Sequence, residues 1–155
     1  MMKRTIQTNS AEQTIALGKS LGKGLRAGDV VALFGDLGAG KTTLTRGIAA
    51  GLGLEADVHS PTFTLIHEHP GAVPLYHVDL YRLASEEEVE TLGIEEYIYS
   101  DGVTIVEWAD RMRSMLPPER LDIDLRMTGD TERELVFQTE SPRIESVVEE
   151  LARDA

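Results

Sequence analysis

The sequence contains no cysteine, which excludes a disulfide scaffold, a thiolate metal site and a cysteine nucleophile. It also lacks any apolar run close to the roughly 20 residues that a membrane-spanning helix needs. The first residues, Met1-Met2-Lys3-Arg4-Thr5, lead into no signal-like apolar stretch. We therefore expect a cytoplasmic protein that has no membrane partner.

Basic residues are also scarce. The 155 residues include 15 Lys and Arg against 27 Asp and Glu, which gives a net charge of −12. An acidic surface repels the phosphate backbone of nucleic acids. We therefore expect no direct grip on nucleic acid, although the chain could act on nucleic acid through a partner protein.

The pattern of apolar residues favours an α/β fold. Residues 30–34 form a continuous apolar run, typical of a central strand buried on both faces, and residues 103–106 are another buried-strand candidate. Strand-like and helix-like segments alternate along most of the chain, and no linker divides it. We predict one domain over residues 1–155, with a mostly parallel sheet flanked by helices and an antiparallel C-terminal hairpin. The pattern G-x-x-x-x-G-K-[ST] at residues 35–42 makes this domain similar to a P-loop NTPase.

The remaining elements follow from local signals. Ser10 and Ser85 begin capping boxes, and proline at position 142 suits the first position of a helix. We expect Trp108 to begin a helix and to lie in the core, although its ring could instead stack on a nucleotide or a partner. The predicted strands are residues 3–8, 64–68, 75–78, 121–127 and 132–139. The predicted helices are residues 10–25, 41–52, 108–115 and 141–151, together with a short acidic helix that begins at Ser85.

A glycine-rich loop carries the clearest chemical signal. Gly35-Asp36-Leu37-Gly38-Ala39-Gly40-Lys41-Thr42 matches the pattern G-x-x-x-x-G-K-[ST] without gaps. In this pattern, glycines let backbone N–H groups surround phosphates, while the following helix points its N-terminus at the same anion. Lys41 would reach the β- and γ-phosphates, the Thr42 hydroxyl would ligate magnesium, and Thr43 would lie nearby. The loop predicts binding of ATP, or another nucleoside triphosphate, with Mg²⁺.

Two acidic residues could complete such a site. Asp79 follows the apolar run 75–78, and Glu107 follows the run 103–106. Each would lie at the carboxyl edge of the sheet, where open α/β sheets bind ligands. Either could be the second magnesium anchor, and pattern alone does not rank them. Thr62, in Ser60-Pro61-Thr62, is a candidate switch residue that senses the γ-phosphate.

Together these segments resemble the TsaE family. The resemblance covers about residues 10 to 140. It rests on the phosphate loop, then Ser60-Pro61-Thr62-Phe63-Thr64-Leu65, His77-Val78-Asp79-Leu80-Tyr81-Arg82 and Glu107-Trp108, in that order and spacing. The loop alone is shared by many proteins, whereas the other segments are specific in combination.

The resemblance implies a role in tRNA modification. TsaE proteins are bacterial ATPases required for threonylcarbamoyladenosine formation at position 37 of tRNAs, and they hydrolyse ATP slowly when isolated. They act with the threonylcarbamoyl transferase subunit and its inactive paralogue, and so meet tRNA indirectly. By position, Thr42 and Glu107 resemble the magnesium ligands, Asp79 the acid needed for hydrolysis, and Thr62 the switch residue. Arg133 resembles an adenine contact.

Three functions are compatible with these residues. In the leading hypothesis, an ATPase, Lys41 and the loop amides offset phosphate charge while Asp79 orients or deprotonates a water molecule. Arg82 is the nearest candidate for an arginine finger. A small-molecule kinase would need an acceptor pocket and a mobile basic lid, and the sequence has no arginine-rich segment that suits a lid. The third possibility is a nucleotide-regulated binding module.

Overall fold

A computed structural model describes residues 2–36, 38–54, 66–98 and 100–154. The strands are β1 (Met2–Thr8), β2 (Val30–Phe34), β3 (Ile66–His69), β4 (Leu75–Asp79), β5 (Val103–Glu107), β6 (Leu121–Met127) and β7 (Arg133–Thr139). The α-helices are α1 (Ala11–Gly24), α2 (Lys41–Gly51), α3 (Glu86–Thr91) and α4 (Pro142–Asp154). Two 3₁₀ segments, Ile94–Glu96 and Ala109–Met115, flank β5.

The strands form one seven-stranded sheet in the order β1-β7-β6-β2-β5-β4-β3. The four central strands, β6, β2, β5 and β4, run parallel to one another. Antiparallel strands extend both sides: β3 pairs with β4, β7 with β6, and β1 with β7. The predicted α/β fold with a C-terminal hairpin is confirmed. Strand β1 pairs with β7 and so adds a third antiparallel strand to that hairpin.

Apolar side chains cover both faces of the sheet. On one face, Val31 and Leu33 of β2 join a core with residues of α1, α2 and α4. On the other face, Val30 and Ala32 join a core with α3 and the two 3₁₀ segments. Because successive residues of a strand point to opposite faces, burial on both sides requires the continuous apolar run seen in β2.

Capping residues define the starts of three helices. The Ser10 hydroxyl accepts a hydrogen bond from the Gln13 N–H at 3.1 Å, and Gln13 Oε1 accepts from the Asn9 N–H at 2.7 Å. Ser85 similarly accepts from the Glu88 N–H at 3.4 Å. Pro142 is the first residue of α4. These three predicted helix starts are confirmed. They could be predicted from the sequence because each depends on a side chain or a proline ring within one turn of the helix end.

Glycines allow α1 and α2 to touch through their backbones. A Cβ atom added at Gly47 would lie 2.3 Å from the Ile15 carbonyl oxygen, and one at Gly22 would lie 2.4 Å from the Ile48 oxygen. Gly18 and Gly51 face the opposite helix at similarly short distances. Any larger residue would force the helices apart. This contact sets the position of α2 and of the loop that precedes it.

One predicted element differs in type from the structure. Residues 108–115 do not form an α-helix: Ala109–Met115 is 3₁₀, Met112 has non-helical angles, and Trp108 adopts the left-handed conformation with φ of 58°. The predicted strand at 64–68 is described only from Ile66, and it continues to His69. Residues 64 and 65 lie outside the described ranges. The other boundaries agree to within a few residues.

Within the described ranges, no helix is both long enough and apolar enough to cross a membrane.

We predict that Gly47→Ala destabilises the protein. Alanine favours helix by about 0.5–1 kcal/mol over glycine, but overpacking against a fixed backbone typically costs about 1–3 kcal/mol. We expect a net loss of about 1–2 kcal/mol in the free energy of unfolding, measured by chemical denaturation.

Gly129→Ala is the matched control. The nearest neighbour of its added Cβ would be the Glu132 side chain, at 3.4 Å, so the free energy of unfolding should stay within about 0.5 kcal/mol of wild type. A Gly47→Ala protein more stable than wild type would contradict the close contact between the helices.

Candidate functional site

The loop between β2 and α2 has a backbone that only glycine adopts easily. Gly35, Gly38 and Gly40 have φ angles of +139°, +81° and +106°. At Gly35, an added Cβ would also lie 2.5 Å from the Leu125 carbonyl oxygen of β6. Gly40 is the N-cap of α2 and has no side chain that could satisfy the first N–H groups of the helix. These N–H groups and the helix dipole favour an anion at this position.

Lys41 is folded back onto its own loop. Its Nζ donates hydrogen bonds to the carbonyl oxygens of Gly35 and, at 3.3 Å, Asp36. The same Nζ lies 3.9 Å from the centroid of the Trp108 ring. The side chain is buried, and burial lowers its pKa, although the carboxylates of Glu107 and Asp79 oppose that shift. Nearby acids therefore help to keep a charged lysine in a site that is largely removed from water.

Glu107 receives hydrogen bonds from two directions. The Thr42 hydroxyl, in the first turn of α2, donates to Glu107 Oε2 at 3.4 Å. His77 Nε2, on β4, bonds to the same oxygen. Strand pairing brings these residues together, because β5 lies between β2 and β4 and ends in Glu107 beside the loop. The carboxylate is only 3% exposed, so its partners decide its orientation.

Asp79 lies directly opposite Glu107 in the pairing of β4 with β5. In a parallel pair, opposed residues point to the same face of the sheet. Asp79 Oδ1 accepts a hydrogen bond from the Tyr81 N–H at 2.9 Å, which fixes the carboxylate against the turn that follows β4. Asp79 is 3% exposed, and so two acids share one buried edge of the sheet.

Arg133 connects the C-terminal hairpin to the loop. Its Nη2 donates to the Gly38 carbonyl oxygen at 3.4 Å, and its Nη1 donates to the oxygens of Gly129 at 3.1 Å and Glu132 at 2.9 Å. A small cavity of about 160 Å³ lies beside it. The cavity is lined by Ala11, Thr14, Gly38, Gly40, Thr43, Asp130, Thr131 and Arg133.

The donor atoms at the sheet edge suit magnesium better than zinc. In the part of the chain that the structure describes, no three His, Cys, Asp or Glu side chains are grouped as a metal site. The Thr42 hydroxyl and the Glu107 carboxylate are hard oxygen donors held close together. Magnesium prefers such oxygens and usually takes its other ligands from phosphates and water. These residues therefore fit a metal ion that binds together with a nucleotide.

The structure brings most of the predicted site residues to one region. Lys41, Thr42, Asp79 and Glu107 converge at the carboxyl ends of β2, β4 and β5, and Thr43 lines the cavity near Arg133. The roles assigned to these residues, and to Gly35, Asp36, Gly38, Ala39 and Gly40, stay predictions. Leu37 and Thr62, with the rest of the segment Ser60 to Leu65, lie outside the described residues.

Two residues of this region were missed or misplaced by sequence reasoning. His77 was given no role, yet it bonds to Glu107. The available signal was the strand period, since His77 and Asp79 are two residues apart and share a face. Trp108 was expected in the core but is half-buried, with its ring against Lys41 and 4.9 Å from the Tyr81 ring. Its position directly after Glu107 was the signal.

Comparison with known proteins identifies the family. A family model described as "Threonylcarbamoyl adenosine biosynthesis protein TsaE" matches residues 8–135. The tRNA threonylcarbamoyladenosine biosynthesis protein TsaE of Bacillus subtilis is 48% identical over 148 residues, which cover 95% of this chain and 92% of the relative. The protein of the same name from Treponema pallidum is 43% identical over 128 residues, which cover 83% of this chain and 95% of the relative.

A solved structure agrees with these sequence matches. The crystal structure of Bacillus subtilis YdiB superposes with a TM-score of 0.83 and 42% identity, covering 99% of this chain and 96% of that one. Sequence and fold therefore lead to the same conclusion: the chain belongs to the TsaE family of threonylcarbamoyladenosine biosynthesis proteins.

Proposed function

We propose that this protein is a magnesium-dependent ATPase required for formation of the threonylcarbamoyl group on adenosine at position 37 of tRNAs. One observation carries the ATPase part of the proposal. A phosphate-loop sequence, with glycines at positive φ, leads into α2 and faces two buried acids at the same edge of the sheet. Membership of the TsaE family supports the tRNA part.

Nucleotide binding begins with the loop. Its backbone N–H groups and the N-terminus of α2 would surround the β- and γ-phosphates. Lys41 would exchange its bonds to the carbonyl oxygens of Gly35 and Asp36 for bonds to phosphate oxygens. The exchange is favourable because a charged phosphate oxygen is a stronger acceptor for an ammonium group than a peptide carbonyl. The Lys41 ammonium group thus already lies beside the loop in which it would bind the phosphates.

We propose that the nucleoside end of ATP lies in the cavity beside Arg133. This cavity adjoins the loop at Gly38 and Gly40, and Thr14, Thr43 and Thr131 give it hydroxyl groups. The Arg133 guanidinium is held by backbone carbonyls of the hairpin turn, so its planar face is in place for a base. We assign Arg133 to the adenine contact on this basis.

Hydrolysis would rely on positioning and charge. Magnesium, held by Thr42 and Glu107, would offset negative charge on the phosphates. Asp79 would orient or deprotonate the attacking water, since its carboxylate is held by the Tyr81 N–H beside Glu107. Thr62 would sense the γ-phosphate as a switch residue. Arg82 is exposed next to the Asp79 turn, and without an arginine on the γ-phosphate the isolated chain should turn over slowly.

We propose that the protein works in a complex with the threonylcarbamoyl transferase subunit and its inactive paralogue. ATP turnover would reset this complex between cycles. The net charge of −12 disfavours direct binding of the tRNA phosphate backbone, so the partners would hold the tRNA.

We predict that Lys41→Ala weakens ATP binding about 10- to 100-fold. A hydrogen bond to a charged group is worth about 1.5–3 kcal/mol, which corresponds to this loss of affinity. Isothermal titration of the full-length protein with ATP and Mg²⁺ measures it. Lys23→Ala is the matched control, because it removes an exposed lysine in the last turn of α1. Full affinity in Lys41→Ala would overturn the proposed site.

We predict that Asp79→Asn loses hydrolysis but keeps nucleotide binding. The amide oxygen can still accept from the Tyr81 N–H, whereas the group that acts on the water is lost. A general base typically contributes about 10²- to 10⁴-fold, so phosphate release should fall by about that factor while ATP affinity changes little.

Two measurements separate the ATPase from the other two functions, one on Asp79→Asn and one on the wild-type protein. If Asp79→Asn loses hydrolysis and still supports tRNA modification with its partners, the chain is a nucleotide-regulated binding module. If the wild-type protein transfers phosphate to a metabolite faster than to water, it is a kinase. Either result contradicts the proposal.

We predict that the tagged protein, in ATP and Mg²⁺, recovers the transferase subunit and its paralogue from a lysate of its own cells. Mass spectrometry identifies the recovered proteins. Lys41→Ala is the control bait, and it should recover less of both. Equal recovery by the two baits, or recovery of neither partner by wild type, would contradict a nucleotide-dependent complex.

A further inference from the structure

A completely buried histidine lies behind the proposed magnesium ligand. His77 has 0% exposure, and its Nε2 bonds to Glu107 Oε2. Its Nδ1 is buried and lacks a hydrogen-bond partner among the described residues. The carboxylate oxygen accepts in this bond, so His77 Nε2 is the donor.

The strand register dictates this contact. His77 is opposite Ile105 in the parallel pairing of β4 with β5, two residues before Glu107. Residues two apart share a face of the sheet, so His77, Ile105 and Glu107 all point to the side covered by α1 and α2. The His77 imidazole therefore contacts the Glu107 carboxylate from the neighbouring strand β4, and the Thr42 hydroxyl contacts it from the first turn of α2.

We propose that His77 is a positioning residue that holds the Glu107 carboxylate in the orientation required of a magnesium ligand. The inference rests on the proposed function of the site. The His77 bond fixes one carboxylate oxygen, and the direction of the other oxygen is then set by the geometry of the group. Carboxylate ligands of metals are themselves usually hydrogen-bonded, and loss of such a partner typically costs about 10- to 100-fold in metal affinity.

A core-filling histidine would behave differently from a positioning one. A core role requires only volume, which leucine supplies. A positioning role requires an N–H at the place of Nε2, which the amide nitrogen of glutamine can supply. The shorter asparagine places its amide near the ring Nδ1, too far back to reach Glu107. His77→Leu, His77→Gln and His77→Asn therefore separate volume from hydrogen bonding.

The test measures metal binding directly. Mn²⁺ substitutes for Mg²⁺, and electron paramagnetic resonance gives its dissociation constant from the full-length protein loaded with ADP. We expect His77→Leu and His77→Asn to weaken Mn²⁺ binding about 10- to 100-fold, and His77→Gln to stay within about threefold of wild type. Affinity for ADP in EDTA should change less than about threefold in all three, because the loop contacts that bind it are unchanged.

The outcomes distinguish this inference from the proposed function. If wild type binds neither ADP nor Mn²⁺ with ADP, both fail. If wild type binds them and His77→Leu holds Mn²⁺ equally well, only the positioning role fails. It also fails if His77→Gln is as weak as His77→Asn while both retain the wild-type circular dichroism spectrum and thermal midpoint. Should His77→Leu not fold, the Gln and Asn pair decides the question.

Discussion

The burial of charged and ionisable side chains at one edge of the sheet is the constraint on which the site depends. Lys41, His77, Asp79 and Glu107 are each at most 5% exposed. An isolated buried charge is costly, so each such group must find a partner of opposite charge or a hydrogen bond. Glu107 meets this requirement through Thr42 and His77, Asp79 through the Tyr81 N–H, and Lys41 through carbonyl oxygens of its own loop. The folded protein thus holds a lysine and two acids close together, each with at least one hydrogen-bond partner.

The fold provides this arrangement through two features of the backbone. Parallel pairing of β2, β5 and β4 brings three carboxyl ends to the same edge. Direct contact of α1 and α2 through their glycines then fixes the depth at which α2 begins, and with it the positions of Lys41 and Thr42. The loop glycines complete the connection, because the chain must pass from strand to helix through positive φ angles. The sheet, the pair of helices α1 and α2, and the loop are therefore all needed to place Lys41 and Thr42 beside the carboxyl ends of the strands.

Local signals in the sequence were enough for the loop, the capped helices and the apolar strands. Asp79 and Glu107 could be located as strand ends, because each follows a short and mostly apolar run. Contacts that depend on pairing between distant strands could not be predicted. The bond from His77 to Glu107 needs the register of β4 on β5, and the bond from Arg133 to Gly38 needs the hairpin to fold over the loop. The 3₁₀ geometry after Trp108 was also missed, since helix propensity does not reveal a left-handed residue at its start.

We propose that the loop from Gly35 to Thr42 binds the phosphates of ATP and that Lys41 changes partners when it does so. A crystal structure of the wild-type protein with a non-hydrolysable ATP analogue and Mg²⁺ tests this most directly. We expect β- and γ-phosphates inside the loop, with Lys41 Nζ on phosphate oxygens instead of the Gly35 carbonyl, and a metal ion held by Thr42 and Glu107. A nucleotide bound elsewhere, or a lysine still bonded to its loop carbonyls beneath an ordered triphosphate, would contradict it.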